Sequence, residues 1–161
     1  KLAQRNHCKV INREPESSFQ QVIADAAKSI NTELMLWVNV TSPFLGPTDY
    51  KNFIECYLKN CADYDSAATV AEKYEFAYFL GRPVNFSQQE QTPRKQLEPI
   101  NIVTNGAYLI ETETAKQQQL LFGRKPLLYP VDALAQIEIK DILDLTIAND
   151  LISKYFLLNE I

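Results

Sequence analysis

Histidine is almost missing from this chain: among 161 residues there is one, His7. Without a second imidazole, neither a His-based zinc site nor a Ser-His-Asp centre can be assembled unless His7 supplies it, and a single histidine near a chain end is ordinarily a solvated side chain. Cysteine is scarce as well. Cys8, Cys56 and Cys61 form no C-x-x-C pair, and an odd number makes a poor disulfide framework, so they read as small apolar residues of a reducing cytoplasm. Of the four glycines none stands in a glycine-rich phosphate loop. No run of Lys or Arg exceeds two residues, as at Arg124-Lys125, and the net charge is −4, which excludes a basic stripe tracking a phosphate backbone. No hydrophobic run approaches a membrane span, and the amino end lacks a signal-peptide core. A soluble, cytoplasmic protein with no nucleic-acid and no membrane partner is expected.

What is present is the pattern of one packed α/β domain, with a hydrophobic content of 46%. Lys9-Val10-Ile11 reads as a short strand. Phe19, Val22, Ile23, Ala26, Ala27 and Ile30 repeat at helical spacing behind Ser17 or Ser18 as N-cap. The run 34–40 is apolar on both faces up to Asn39, as in an interior parallel strand. A second helix follows Gly46-Pro47 and runs to about Asn60, and 66–71 is strand-like. The stretch 74–104 differs: its aromatics, Gly81-Arg82-Pro83 turn and polar tail read as a hairpin and an excursion from the main sheet. Strands are expected at 107–110, 125–131 and 135–139, and a helix at 112–122 ended by Gly123. Asp141 caps a last helix on which Leu145, Ala148, Leu151, Ile152 and Tyr155 share a face. Alternating strands and amphipathic helices predict a doubly wound, mostly parallel sheet. Such a sheet would open with a strand, a glycine-rich turn and a helix. The chain begins in mid-pattern at Lys1 and its one methionine is Met35, so a processed or partial chain is expected, lacking at least one βα unit on the order of 30 residues.

Chemistry concentrates in two segments. The apolar run ends in Thr41-Ser42-Pro43, where small hydroxyls and a helix start meet at the carboxyl end of a strand, the place where open α/β sheets bind ligands. Pro93-Arg94-Lys95-Gln96-Leu97, followed by Asn105-Gly106-Ala107-Tyr108, sets a fixed cation, an amide and a glycine turn in a polar stretch. Together they suit an anionic, oxygen-rich small molecule.

These segments, with a closing acidic strand-to-helix segment, occur in the order seen in acylneuraminate cytidylyltransferases, and the chain resembles that family over nearly its whole length. The resemblance implies a nucleotide-diphospho-sugar transferase-like, Rossmann-like domain over 1–161, incomplete at its amino end, with a β-hairpin dimerisation arm at about 74–104. It implies transfer of CMP from CTP to the anomeric hydroxyl of a sialic-acid-like α-keto acid sugar, release of pyrophosphate, Mg²⁺ as cofactor, and a homodimer. Asn39 stands where the family carries a glutamine that contacts the sugar; Thr41 and Ser42 line the same strand end. Arg94 matches the family arginine, whose planar fork binds a carboxylate or phosphate with two hydrogen bonds. Gln96 and Asn105 would add amide contacts to sugar hydroxyls, and Gly106 a backbone conformation or close approach that a β-carbon would block. Ser17 and Ser18 align with a segment contacting the cytidine, with a plain helix cap as the alternative.

Two departures stand out. The family's Asp-x-Asp becomes Glu138-Ile139-Lys140, leaving Glu138 as metal ligand and Lys140 as a phosphate-binding cation that repels Mg²⁺. The Thr-Ser-Pro-Leu-Arg pattern becomes Thr41-Ser42-Pro43-Phe44-Leu45, losing its arginine. The expected function is therefore a cytidylyltransferase for an acidic sugar, part of activated-sugar synthesis for surface polysaccharide, with the 161 residues alone inactive. The alternatives are a non-catalytic dimeric sugar- or nucleotide-binding relative and a nucleotidyltransferase for another sugar.

Overall fold

The computed structural model describes residues 8–90 and 92–159, without the side chains of 153 and 155–159; His7 and the side chain of Tyr155 lie outside these limits. In chain order the elements are α1 (Phe19–Lys28), β1 (Leu34–Val38), α2 (Pro47–Asn60), β2 (Ser66–Lys73), the short β3 (Tyr78–Phe79) and β4 (Arg82–Pro83), a 3₁₀ turn at Arg94–Gln96, β5 (Ile100–Glu111), α3 (Thr112–Gln118), β6 (Pro126–Pro130) and α4 (Ile142–Asn159).

The helix starts follow from local chemistry. Ser18 is the α1 N-cap, its hydroxyl accepting the Gln21 N–H at 3.2 Å. Pro47 opens α2, and the Asp49 carboxylate accepts the Gly46 N–H at 2.7 Å. Asp141 Oδ1 accepts the amides of Leu143 and Asp144 at 2.8 and 3.0 Å, which fixes the start of α4.

The main sheet has the order β1-β5-β2-β6 and is mixed. β5 runs antiparallel to both β1 and β2, and β2 and β6 are the one parallel pair. This corrects the expectation of a mostly parallel sheet. The cause lies in the excursion itself: β2 ends at Lys73 opposite Ile100, so residues 74–99 form one long loop between antiparallel neighbours. A parallel return ordinarily runs through a crossover α-helix, and among the described residues of this segment there is none.

Alternation along β5 feeds both faces. Tyr108 and Ile110 pack with Ile23, Ala27, Met35, Ala115 and Leu121 under α1 and α3. Ala107 and Leu109 pack with Phe53, Tyr57 and Ala67 under α2. A third cluster of Phe44, Leu45, Ala135 and Ala148 fastens α4 beyond the end of β1.

Other boundaries moved. Residues 9–11 and 135–139 are not strands, although the Ile139 N–H bonds to the Thr41 carbonyl at 2.8 Å. α3 ends at Gln118, with Gln119 left-handed at φ 57°. β5 starts at Ile100, not at 107. The arm is a small hairpin whose turn places Leu80 and Gly81 at φ 49° and 77°. Phe86 packs edge-on against Phe76 and Tyr78 at 5.0 and 5.2 Å.

Gly123 acts at the start of β6 and not as a helix cap. The Asp65 carboxylate accepts the amides of Arg124 at 2.6 Å and Lys125 at 3.0 Å. Ser66 Oγ donates to the same carboxylate at 3.1 Å and accepts the Gly123 N–H at 2.8 Å. A β-carbon on Gly123 would collide with that carboxylate. Desolvation pushes the Asp65 pKa up, but the donors from Lys125, Arg124, Ser66 and its own amide outweigh it, leaving it below the ordinary carboxylate value. The ionised form is thus favoured by folding, and its contribution is present above the unfolded pKa and lost as pH falls through the folded one. Asp65→Asn is expected to lower stability at neutral pH by about 1 kcal/mol and to flatten the loss of stability below about pH 4, read by urea unfolding across pH 2.5–7.

Candidate functional site

The site is built around a disturbance in β5. Ala68 faces Tyr108 and Val70 faces Val103, so one residue of β2, Thr69, stands opposite the four residues 104–107. This is a large bulge. Its closure is a hydroxyl lock: Thr69 Oγ1 accepts the Ala107 N–H at 3.0 Å and lies 2.9 Å from Thr104 Oγ1, which bonds to the Thr69 carbonyl at 3.2 Å. Asn105, at the crest, takes the left-handed conformation at φ 57°, which Asn tolerates best among side chains with a β-carbon. Gly106 is buried, and a β-carbon there would strike Leu45 Cδ1 and come within 3.0 Å of Thr69 Oγ1. Of the two roles expected for Gly106, close approach is the one the geometry uses.

From the bulge a chain of hydrogen bonds crosses to the end of β1. Trp37 Nε1–H donates to Asn39 Oδ1 at 3.0 Å, and Asn39 Nδ2 donates to the Asn105 carbonyl at 2.7 Å. The Tyr108 hydroxyl donates to Asn105 Oδ1. Asn105 Nδ2 reaches Glu138 Oε1 at 3.5 Å, and Glu138 Oε2 lies 3.4 Å from Lys140 Nζ. The Thr41–Ile139 backbone bond draws the 138–140 segment to this place. Burial first, and the Glu138 charge second, push the Tyr108 phenol pKa up, so it is a neutral donor. Ser42 is buried at the same strand end, and its Oγ finds no hydrogen-bond partner among the described residues.

Beside this network lies a cavity of about 220 Å³, lined among others by Phe19, Gln20, Asn39, Asn105, Tyr108 and Phe122. Aromatic and amide groups dominate, and no charged residue lines it. Such a wall can hold a neutral, hydroxyl- or amide-bearing group by hydrogen bonds and ring contact. Charge is confined to its margin, at Glu138 and Lys140.

Of the residues singled out in the sequence, Asn39, Thr41, Ser42, Asn105, Gly106, Glu138 and Lys140 come together. Arg94 does not join them: its guanidinium pairs with Glu75 and its Nε–H bonds to the Tyr74 carbonyl at 3.2 Å, clamping the base of the arm. Gln96 is exposed on the 3₁₀ turn. Ser18 is the helix cap and Ser17 bonds through its backbone to Glu14; the helix they start lends Phe19 and Gln20 to the cavity. Trp37, Tyr108, Thr69 and Thr104 were missed. The single tryptophan beside the strand end and a tyrosine directly after Asn-Gly-Ala were available as signals, whereas the two threonines are 35 residues apart and meet only through the register.

The donor set does not fit a Mg²⁺ cage. One carboxylate, Glu138, is offered with an ammonium beside it, and among the described residues no three His, Cys, Asp or Glu side chains converge as ligands.

The fold has known counterparts. The 4-diphosphocytidyl-2C-methyl-D-erythritol synthase of Anaerococcus prevotii superposes with a TM-score of 0.64 at 10% identity, over 94% of this chain and 74% of that one. At that identity the likeness concerns the fold alone. Neither the protein-family profiles nor the curated proteins compared with the sequence match it. Among the described residues no helix is long and apolar enough to cross a membrane.

Gly106→Ala is expected to cost about 1–3 kcal/mol through overpacking against Leu45 and Thr69. Thr69→Val should cost about 1–3 kcal/mol by stranding the buried Ala107 N–H. Urea unfolding checks both, and an unchanged midpoint in either variant contradicts the lock.

Proposed function

We propose that the protein is a cytidylyltransferase that moves CMP from CTP to a sialic-acid-like α-keto acid sugar, releasing pyrophosphate. One observation carries this: Asn39, Asn105 and Glu138, chosen from separate parts of the sequence, belong to one hydrogen-bonded chain at the carboxyl end of β1. The nucleotidyltransferase fold supports the reaction class, and the printed name of the A. prevotii protein is that of a synthase of a diphosphocytidyl compound.

In this reading the uncharged cavity takes the polyol and amide-bearing part of the sugar. The acid group stays at the margin, near Lys140, whose side chain is 71% exposed and free to turn toward an anion. The sugar hydroxyl attacks the α-phosphorus, its bond forms as the bond to pyrophosphate breaks, and the hydroxyl proton passes to solvent water. Lys140 offsets negative charge on the phosphate oxygens, and the Trp37–Asn39–Asn105 chain holds the sugar-facing amides in place, so catalysis is positioning and electrostatic stabilisation. Ser17 and Ser18 lie toward the nucleotide. The arm, with Phe79 and Leu80 exposed at its tip, joins two copies in a homodimer, and Arg94 stiffens it.

A second reading is a dimeric binding module without catalysis. It is favoured by one observation, the pairing of Glu138 with Lys140, which occupies the carboxylate a metal-dependent transferase would use.

The protein, with CTP, MgCl₂ and a panel of nonulosonic acids and sugar phosphates, should release pyrophosphate with at least one nonulosonic acid. Lys140→Ala should lower kcat/KM on the order of a hundredfold. No turnover with any substrate, combined with calorimetric binding of a sugar in the absence of Mg²⁺, selects the binding module. Turnover with a sugar phosphate alone selects a different substrate.

A further inference from the structure

The hydrogen bonds around Glu138 share a direction. Both of its carboxylate oxygens face donors, Asn105 Nδ2 at 3.5 Å on Oε1 and the Lys140 ammonium at 3.4 Å on Oε2. The neighbouring amides are turned the same way. An indole N–H can only donate, so Asn39 presents its oxygen to Trp37 and its nitrogen to the Asn105 carbonyl. An ionised carboxylate can only accept, so Asn105 presents its nitrogen to Glu138, and its oxygen takes the Tyr108 hydroxyl. Every side-chain oxygen of this network is thus aimed at a donor. The group that reaches furthest into solvent is a cation: the Lys140 side chain is 71% exposed and that of Glu138 20%.

A divalent cation needs several oxygens with lone pairs turned toward one point. Here it would have to evict both donors from Glu138 and then lie beside an ammonium. Among the described residues no three acidic, Cys or His side chains converge to offset that repulsion. An oxyanion has the opposite requirement, a fixed positive charge with N–H donors, and it needs only Lys140 to turn. The contact to be given up is weak. At 3.4 Å it is longer than a close charge-assisted hydrogen bond, and its cation is exposed, where ion pairs contribute little.

We propose that Glu138 is an internal stand-in for the ligand's own oxyanion, and that the protein holds no divalent ion here. Glu138 keeps Lys140 until a carboxylate or phosphate of the ligand takes the ammonium from it. Which of these anions enters, the sugar acid or the nucleotide phosphate, rests on the transferase reading. The bond from Asn105 tethers the Glu138 carboxylate while Lys140 turns outward. Glu138 therefore competes with the ligand and lowers its affinity. The gain is selectivity, because an anion is admitted only if it holds Lys140 more firmly than a neighbouring carboxylate does.

Isothermal titration of the protein with CMP and, separately, with N-acetylneuraminic acid tests this, each in EDTA and in MgCl₂ at matched ionic strength. At least one of the two should bind in EDTA, with an affinity that MgCl₂ changes by less than about twofold. The one that binds identifies the anion. Lys140→Ala should weaken that binding about tenfold or more, and Glu138→Gln should tighten it about threefold, with thermal midpoints of the free proteins unchanged. The direction at Glu138 separates the roles: removing a carboxylate that holds a metal or the ligand weakens binding, and removing a competitor strengthens it. Binding strengthened beyond that margin by MgCl₂, unchanged or weaker binding in Glu138→Gln, unaltered binding in Lys140→Ala, or no binding of either anion in EDTA overturns the proposal. Pyrophosphate release would still uphold the transferase reading in those cases. Metal-independent binding without any pyrophosphate release would instead remove the transferase and leave the proposal standing.

Discussion

The Thr69 hydroxyl is the point on which the arrangement depends. It lets a single residue of β2 face four residues of β5 without leaving the Ala107 amide unpaired inside the sheet. An unsatisfied buried amide costs about 1–3 kcal/mol, so without this hydroxyl the flat register would compete with the bulge. With the bulge fixed, Asn105 is thrust out at the strand end, Gly106 brings the backbone against Leu45, and Tyr108 returns to the ladder. Every polar group of the candidate site then finds its place relative to that one crest.

How much of this was legible in the sequence depended on whether the signal was local. The caps at Ser18 and Asp141 and the start of α2 at Pro47 rest on neighbours within a turn, and they lie where composition placed them. Strand direction is not local. Nothing in 34–40 distinguishes a parallel interior strand from one end of an antiparallel pair, since both are apolar on two faces. The excursion at 74–99 held the answer: a long loop without a crossover helix returns its strand antiparallel. Polar residues such as Asn101 and Thr104 hid the first half of β5 for the same reason, because pairing and not propensity makes it a strand.

The site residues divide along the same line. Asn39, Asn105, Gly106, Glu138 and Lys140 were recognisable by pattern and meet in space. Arg94 was equally recognisable, yet within one chain its charge is consumed by Glu75 at the foot of the arm. Thr69 carries no sequence mark of its role, which arises only when residue 69 meets residue 104 across the sheet. Charge is sorted in a similar way. The cavity at one end of β1 has no charged lining, and the cleft at the other end gathers five carboxylates. A chain with a net charge of −4 thus keeps its anionic wall away from the end proposed for an acidic sugar and a nucleotide.

The most direct test of the central claim, that the bulge crest and the end of β1 form one sugar-binding site, is side-chain amide and indole NMR during titration with N-acetylneuraminic acid. Saturable shifts of Trp37 Nε1–H and of the Asn39 and Asn105 amide groups, absent in Asn105→Ala, are the expected result. Shifts confined to the arm or to the acidic cleft, or no shift of the Trp37 indole at saturating sugar, would contradict it.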